Sequence, residues 1–350
     1  MLHVELQPRW HFHDSSGRSL EATRLLSLLT AIRDAGSIAQ AAREVGLSYR
    51  NAWGLILDAE TLLGQPLVQR ARGKGTTLSD AGLRLVWSDA RVLARLQPLL
   101  ASLASELTAE FECLPPTPLT VPRLHASHGF AIAALHDQLQ AHGIHVDLRY
   151  RGSVEALTAL AHGECDLAGF HVPVGKLRQT ALQAYHEWLR PSEHVFIHLA
   201  LRTLGLFVAK GNPLHIHGFP DLNRPSLRFV NRPMGSGTRM LTDWLLSESG
   251  VPPKHIQGYH TTELTHSAVA AFVASGLADV GFGVETAAFR FGLTFIPVIR
   301  EEYFFALRRR DVDDARLTRI LDVLRSRSFK ATVASLKGYD SAKTGQAQAL

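Results

Sequence analysis

Cysteine and long apolar runs are scarce in this sequence, and each scarcity excludes a class of protein. The two cysteines, Cys113 and Cys165, fit neither a disulfide scaffold nor a metal or redox motif. No stretch of about eighteen apolar residues occurs, so no transmembrane helix is expected. The N-terminal MLHVELQPRWHFHD has no basic segment followed by an apolar one, so no signal peptide is predicted. We therefore expect a cytoplasmic protein with reduced thiols and no membrane partner.

Motifs for metal or nucleotide chemistry are also missing. The 18 histidines include no HExxH pair and no cluster with cysteine at ligand spacing, so no metal site is predicted. The glycine-rich stretch NRPMGSGTR, residues 231–239, fits neither GxxxxGK[ST] nor GxGxxG. We predict no catalytic residue and no required cofactor. An enzyme that acts on a phosphorylated or anionic substrate at this loop is the alternative.

The composition itself is that of a globular protein with a mild basic excess. The 350 residues are 46% hydrophobic and 20% charged, which favours two or three domains. A net charge of +5 permits nucleic-acid binding without establishing it. Four prolines in CLPPTPLTVP, residues 113–122, predict an extended linker. Helical patterns dominate before this linker, and strands alternate with helices after it.

The N-terminal part predicts a helix-turn-helix. Residues 25–36, 37–46 and 49–64 each have a helical pattern, and the first two end at glycine. Only Leu47 and Ser48 separate the last two helices, and so short a turn makes them cross steeply. An ordinary amphipathic helix with a solvated basic edge is the alternative for the third helix alone. The predicted DNA contacts here are Ser37, Ser48, Tyr49, Arg50, Asn51 and Trp53.

A basic hairpin is predicted directly after the third helix. The segment PLVQRARGKGTTLSDAG, residues 66–82, indicates a strand, a turn, a second strand and a helix start. Arg70, Arg72 and Lys74 flank the turn, with almost no acidic residue nearby. A solvated turn is the simpler interpretation of such a hairpin, but its place after a helix-turn-helix favours a wing whose charges contact phosphates.

These segments together carry a family resemblance. AAREVGLSYRNAWGLI, followed by LGQPLVQRARGKGTTLSDAGLRLV, resembles the winged-helix domain of ModE-type molybdate-responsive regulators and, more distantly, that of LysR-type regulators. SYRNAW is similar to the ModE form of the recognition helix. The resemblance covers residues 20–90. It implies a winged helix-turn-helix domain over residues 1–82 and double-stranded operator DNA as its partner.

Residues 83–112 are predicted to form a linker and dimerisation helix. Their apolar stripe is suited either to a seam between two copies or to packing on the chain's own domain. We favour dimerisation, because a two-fold operator needs two recognition helices; homodimer and homotetramer both stay open. Pro98 predicts a kink or break. The stripe consists of Leu83, Val86, Ala90, Leu93, Leu100, Leu103 and Leu107.

Residues 123–340 predict an α/β effector domain with parallel sheets in two lobes. Residues 118–172 and 227–283 share the order strand, polar loop, helix, strand, so two related lobes are expected to face one another. Ligands of such sheets lie at the carboxyl ends of strands. The final residues, 341–350, are expected to be disordered.

Hydroxyl, imidazole and helix N–H groups stand at these strand-to-helix junctions. This composition suits an anion or a polar molecule, with Arg239 as its countercharge. Ser127, Ser153 and Thr265 are equally suited to capping helices without contacting a ligand, and Glu285 to complementing a helix N-terminus. The candidate effector residues are Ser127, His128, Ser153, His171, Ser236, Gly237, Thr238, Arg239, Thr265, His266 and Glu285.

This half carries a second resemblance. GSVEALTALAHGECDLAGFHV, LRFVNRPMGSGTRMLTDWLL and THSAVAAFVASGLADVGFGVETAA are similar to the periplasmic-binding-protein-like domain of molybdate-linked regulators. The resemblance is to type II binding proteins, whose two lobes close on a ligand. It implies a small anionic effector, such as molybdate, tungstate or a molybdenum-cofactor-related compound. The residues that the resemblance carries over are Ser127, His128, Ser153, His171, Ser236, Thr238, Arg239 and His266.

Both halves together predict a ligand-responsive bacterial transcriptional regulator. Operator DNA and the effector are its expected partners, with RNA polymerase as a further one. A transport binding protein is a third interpretation, which the attached winged helix and the absence of a signal-peptide pattern oppose.

Overall fold

The fold is described by a computed structural model that covers residues 4–71, 75–112 and 121–349. The chain divides into two compact units. Gln7–Leu93 form one, and Met1–Leu6 with Ala94–Leu350 form the other. The division falls inside a long helix, later in the chain than residue 82, where the sequence pattern ended the DNA-binding domain.

The unit Gln7–Leu93 is a three-helix core with two small hairpins. Its buried residues recur at helical spacing within each helix, as Leu25 and Leu29 do on the first helix and Ala52 and Ile56 on the third. Fully buried Ala41 and Ala52 let the helices approach closely. The predicted helix-turn-helix and wing are therefore present. The elements are β1 (His11–His13), β2 (Ser19–Glu21), α1 (Thr23–Ala35), α2 (Ile38–Glu44), α3 (Tyr49–Leu63), β3 (Val68–Ala71) and β4 (Gly75–Leu78).

Glycine anchors the wing hairpin to the end of α1. The backbone N–H of Thr76 donates to the carbonyl of Gly36 at 2.9 Å. Gly75 has φ +81°, and a Cβ atom there would stand 2.3 Å from the Gly36 oxygen. Both the backbone conformation and the close approach require glycine at position 75.

The sequence predicted a kink or break at Pro98. Helix α4 (Asp80–Glu112) is continuous through this proline, so the break is wrong. Proline has no N–H group to give to the carbonyl of Ala94, four residues earlier. The hydroxyl of Thr265 donates to that carbonyl instead, at 3.0 Å. A side chain from elsewhere in the fold thus satisfies the group that Pro98 leaves without its helical partner.

The larger unit contains one mixed sheet of nine strands, rather than the parallel sheets expected from the sequence. Its order is β6-β5-β7-β11-β8-β10-β9, and β12 and β13 also pair with β8. Strand β5 runs parallel to β6 and β7, and β9 runs parallel to β10, whereas β8 and β11 pair antiparallel. The strands are β5 (Arg123–Ala126), β6 (Asp147–Tyr150), β7 (Leu167–Pro173), β8 (His194–Val208), β9 (Phe229–Val230), β10 (Val280–Val284), β11 (Thr294–Arg308), β12 (Tyr339–Asp340) and β13 (Ala347–Gln348).

Two lobes with separate hydrophobic cores form around this sheet, as predicted. Lobe I contains β5–β7 and lobe II contains β9 and β10, while β8 and β11 run through both. Phe196 on β8 packs in lobe I, and Phe207 on the same strand packs in lobe II. Lobe I carries α5 (Phe130–Ala141), α6 (Ser153–Ala161), α7 (Arg178–Tyr185), α11 (Ala315–Arg325) and α12 (Arg327–Ser335), and lobe II carries α8 (Gly237–Glu248), α9 (His266–Ala274) and α10 (Glu285–Arg290).

The C-terminal residues 341–349 are folded onto lobe I, so the expected disorder of this tail is wrong. The fully buried Thr344 donates its hydroxyl to the carbonyl of Leu199 at 2.7 Å. The N–H of Gly345 donates to the carbonyl of His198 at 2.8 Å, and β13 pairs with β8. The tail supplies backbone partners to a long strand, which its polar sequence did not indicate.

Candidate effector cleft

A cleft of about 1000 Å³ lies between the two lobes. Loops that follow β5 and β6 line it from lobe I, and the segment Arg232–Met240 lines it from lobe II. The lobes touch along one edge, because a Cβ atom on Gly152 would stand 3.0 Å from the carbonyl oxygen of Gly235. The cleft therefore keeps its volume in a conformation in which the lobes are already in contact.

His171 stands on β7 at the centre of the polar floor. The hydroxyl of Ser127 is 3.5 Å from its Nε2, and that of Ser153 is 3.3 Å from its Nδ1. The ring of Tyr303 stacks on the imidazole at a centroid distance of 3.8 Å. Gly169 makes room for this tyrosine, since a Cβ atom there would lie 2.7 Å from the Tyr303 hydroxyl. Neighbouring strands thus hold the imidazole in one orientation.

Three histidines of the cleft are kept neutral by their surroundings. Burial, with the nearby positive charge of Arg232, lowers the pKa of His128 to about 4. Burial and the guanidinium groups of Arg202 and Arg232 hold the pKa values of His171 and His266 well below the usual 6.5. These rings therefore offer N–H donors and lone pairs rather than charge. Among the described residues, no group of three His, Cys, Asp or Glu is placed to hold a metal ion.

Arg232 supplies the charge that the histidines do not. It is buried and follows β9, where its backbone N–H donates to the Asn231 side chain at 2.8 Å. Its Nε and Nη1 have no hydrogen-bond partner within the part of the chain that the structure describes. Burial lowers the pKa of Arg232 to about 10, so the group is charged at neutral pH. An unpaired buried cation is costly, and an anion in the cleft would relieve that cost.

Arg239, which the sequence predicted as the countercharge, already has partners. Its Nε donates to both carboxylate oxygens of Asp243 at 3.1 Å, and its Nη1 donates to the carbonyl of Arg232 at 3.2 Å. The guanidinium also lies 4.2 Å from the ring centroid of Tyr259. Arg239 lines the cleft, but it braces the segment that presents Arg232 instead of serving as a free cation.

The crossing strands contribute a second arginine that the sequence analysis missed. Arg202 on β8 donates from Nε and Nη2 to Glu301 on β11, at 3.0 and 2.7 Å. Its guanidinium lies 5.7 Å from the ring centroid of Tyr303. Because Arg202 and Glu301 neutralise one another, they stiffen the floor without adding net charge. The signal was available in the nearly continuous apolar run of residues 194–208, which is typical of a strand buried on both faces.

Two of the predicted effector residues do not line the cleft. Thr265 caps α9 by accepting the N–H of Ala268 at 2.9 Å and uses its own proton for the Ala94 carbonyl. Glu285 begins α10 and lies against Gly338, since a Cβ atom built on Gly338 would stand 2.6 Å from the Cβ of Glu285. The remaining candidates all line it: Ser127, His128, Ser153, His171, Ser236, Gly237, Thr238, Arg239 and His266.

Helix α4 contacts both lobes beside the mouth of the cleft. The hydroxyls of Ser102 and Ser105 accept the backbone N–H groups of Tyr150 and Leu148, at 3.1 and 2.9 Å. These N–H groups belong to β6, the edge strand of the sheet, which the helix thereby protects. On lobe II, Arg95 donates to the buried carboxylate of Glu263 at 2.6 Å. The helix therefore connects the lobes in addition to β8 and β11.

The predicted DNA contacts lie in the separate unit Gln7–Leu93. Ser37 and Ser48 cap α2 and α3, accepting N–H groups at 3.4 and 3.1 Å. Tyr49, Arg50 and Asn51 are exposed on the first turn of α3, and Trp53 is half-buried. Arg70 is on β3, opposite Thr76, whereas Arg72 and Lys74 lie outside the described residues.

The matches to family models agree with this architecture. Residues 136–325 match the model described as a PBP superfamily domain. The chain belongs to the PBP superfamily. Residues 23–83 of this PBP-superfamily chain match the model described as a bacterial regulatory helix-turn-helix protein of the lysR family. The N-terminal part of the chain is thus similar to LysR-type regulators.

Several curated proteins are similar to parts of this chain. YvgK of Bacillus subtilis, an uncharacterized protein, is 34% identical over 198 residues, which are 57% of this chain and 64% of YvgK. The molybdenum-pterin-binding protein MopB of Rhodobacter capsulatus is 37% identical over 101 residues, 28% of this chain and 37% of MopB. The transcriptional regulator ModE of Yersinia pestis is 42% identical over 67 residues, 18% of this chain and 26% of ModE. The chain spans less than two thirds of the length of each.

Proposed function

We propose that this protein is a bacterial transcriptional regulator whose binding to operator DNA responds to a small anionic effector. The buried guanidinium of Arg232 in the inter-lobe cleft, whose Nε and Nη1 have no hydrogen-bond partner among the described residues, carries the effector part of the proposal. The helix-turn-helix in the other unit carries the DNA part. The proposed place of action is the cytoplasm, where a bacterial chromosome lies.

The first turn of α3 presents side chains that are suited to recognising DNA bases. Tyr49, Arg50 and Asn51 are adjacent and exposed, and the cap on Ser48 holds this turn in place. Arginine and asparagine pair in bidentate fashion with guanine and adenine in the major groove. A recognition helix presents such side chains near its N-terminus. We therefore propose that Arg50 and Asn51 contact bases, and that the wing residues Arg70, Arg72 and Lys74 contact phosphates.

Molybdate, tungstate or a molybdenum-cofactor-related compound is the proposed effector. The names of two relatives, ModE and the molybdenum-pterin-binding MopB, support this choice. The cleft chemistry is compatible with it, since Arg232 would balance the charge of an anion. Serine hydroxyls and neutral imidazoles would donate hydrogen bonds to its oxygens.

Helix α4 is the proposed route from the effector to the DNA-binding unit. It begins at Asp80 in one unit and is bound to both lobes of the other through Ser102, Ser105 and Arg95. An effector that favours one arrangement of the lobes would shift the equilibrium of these contacts by its differential affinity. We also propose that two or four copies assemble, because a two-fold operator requires paired recognition helices.

DNA selection with the full-length protein tests the proposal. Genomic fragments would be selected by binding and sequenced, and the tightest would be titrated by fluorescence anisotropy. Arg50→Ala should weaken binding to this fragment by about 1–3 kcal/mol if Arg50 reads a guanine edge. Arg319→Ala removes the same charge from an exposed position on α11, and should leave affinity unchanged.

The effector arm repeats the titration with molybdate, tungstate, sulfate, nitrate and formate. At least one anion should shift the wild-type DNA affinity and leave the Arg232→Met variant unaffected. Selection of no fragment over random DNA would refute the regulator. Selection without a shift by any anion, including organic ones, would refute effector sensing alone. An equal loss for Arg50→Ala on random DNA would identify a phosphate contact instead.

A further inference from the structure

We propose that the effector is an organic anion, with an acidic group bound at Arg232 and an apolar ring or chain in the mouth of the cleft. The inference rests on the proposed sensing of an anion at Arg232 and narrows its ligand to an organic acid, in place of bare molybdate or tungstate. Three features of the cleft carry it: its size, the arrangement of its polar and apolar side chains, and its charge balance.

The volume exceeds what a bare oxyanion needs. Pockets of roughly 300–1,000 Å³ enclose organic molecules of drug size, and this cleft is at the upper end of that range. The lobes already touch, since a Cβ on Gly152 would be 3.0 Å from the Gly235 oxygen and one on Gly237 would be 3.6 Å from the Ser153 hydroxyl. The volume therefore remains although the lobes approach one another closely along this edge.

Polar and apolar side chains occupy different parts of the cleft. Arg232, His171 and His266 are buried in it, whereas four of its other lining side chains are apolar and exposed. Exposed apolar residues are ordinary when they are scattered, but a cluster beside a cavity marks a binding surface. The four are Leu99 (58% exposed) and Leu103 (40%) on α4, with Met234 (79%) and Leu264 (57%) on lobe II.

The charge balance favours a single acidic group in the buried part of the cleft. Among the described arginines that line the cleft besides Arg232, four are paired with carboxylates and Arg151 is exposed to solvent, while the three histidines are neutral. Arg232 is buried, and its Nε and Nη1 have no hydrogen-bond partner in the described part of the chain. One buried cation of this kind is best matched by one anionic group, and a polyanion would leave excess negative charge in a poorly hydrated site. The paired arginines are Arg95 with Glu263, Arg149 with Asp147, Arg202 with Glu301 and Arg239 with Asp243.

Matched pairs of ligands test this inference on the full-length protein by isothermal titration calorimetry. The pairs are inorganic phosphate with phenyl phosphate and formate with benzoate, with molybdate as a further bare anion and benzyl alcohol as a neutral ring. In at least one pair the ring-bearing member should bind about tenfold or more tightly, because the mouth would bury its apolar surface. Benzyl alcohol should bind far more weakly than either ring-bearing anion.

Variants separate the contributions of the acidic group and the apolar mouth. Arg232→Met should abolish binding of both members of a pair. The double variant Met234→Ser, Leu264→Ser should remove most of the ring's advantage and leave the bare anion's affinity unchanged. Leu214→Ser changes an exposed leucine that does not line the cleft, and should leave all affinities unchanged.

The contrary outcomes are distinct. Equal or tighter binding of the bare anions would overturn the organic class and leave anion sensing standing. Binding of no anion at all would overturn both. If the double variant changed only the oligomeric state, measured by light scattering, the apolar mouth would be a surface between copies and the inference would fail.

Discussion

Replacing Arg232 with methionine should stabilise the unliganded protein and abolish its response to the effector. Burial, with the positive charge of Arg202 as a lesser cause, lowers the pKa of Arg232 to about 10, more than two units below its usual value. Since one pKa unit corresponds to about 1.4 kcal/mol, holding the charge in this site costs on the order of 3 kcal/mol. Methionine has a similar length and no charge. We expect a gain of about 1–3 kcal/mol in the free energy of unfolding of the unliganded variant.

Effector should favour the wild type over the Arg232→Met variant, which is opposite to the expected order of stabilities without ligand. An effector at 100 times its Kd should add about 2.7 kcal/mol to the wild type and nothing to the variant. Scanning calorimetry without and with effector measures the stability of each protein and its stabilisation by ligand. The stability advantage of the variant over the wild type should shrink or reverse as ligand is added.

Arg239→Met is the matched control. It removes an arginine of the same cleft that already has carboxylate and carbonyl partners, so it should destabilise the unliganded protein by about 1–2 kcal/mol. If Arg232→Met destabilised the unliganded protein to the same extent, its guanidinium would have a partner of its own. The argument for an anion site would then fail.

Two further predictions concern acid stability and the linker helix. Because burial holds the pKa of His128 at about 4, below the 6.5 of the unfolded chain, the unfolded state binds more protons as the pH falls. The free energy of unfolding should therefore decrease from about pH 6.5 towards pH 4. In urea titrations, His128→Asn should make this pH dependence less steep. An unchanged pH dependence would contradict a His128 that is neutral in the folded protein. Thr265→Val leaves the Ala94 carbonyl and the N–H of Ala268 without their Thr265 partner and should cost about 1–3 kcal/mol. Thr318→Val removes only a hydroxyl whose acceptor, the Asp314 carbonyl, also accepts the Thr318 N–H, and should cost less in the same assay.

Much of the site could be predicted from the sequence because strand-to-helix junctions concentrate ligand groups. Ser127, Ser153, His171 and His266 were named from their positions in the α/β pattern, and all four line the cleft. Local patterns also predicted the helices around Tyr49, because cap residues and apolar spacing act over a few residues.

Charge pairing was only partly within reach of the sequence. Asp243 follows Arg239 by four residues on α8, a spacing at which helical side chains meet, so this ion pair could have been predicted. Only the fold brings Tyr259 to Arg239 and leaves Arg232 buried, with its Nε and Nη1 unpartnered among the described residues. The burial of Arg232 depends on neighbours from distant parts of the chain, which spacing alone does not report.

The same distinction applies to the architecture. The sequence by itself determined that the chain has a helix-turn-helix domain and a two-lobed α/β domain. Hydrophobic periodicity and turn residues act over a few residues, so they can be recognised without the fold. Tertiary structure alone decided that β8 and β11 join the lobes and that Thr265 donates to the carbonyl left free by Pro98. It also decided that Arg232 is buried with no partner at Nε and Nη1 among the described residues. These features depend on residues far apart in the chain, and burial sets their energies only after the whole fold has formed.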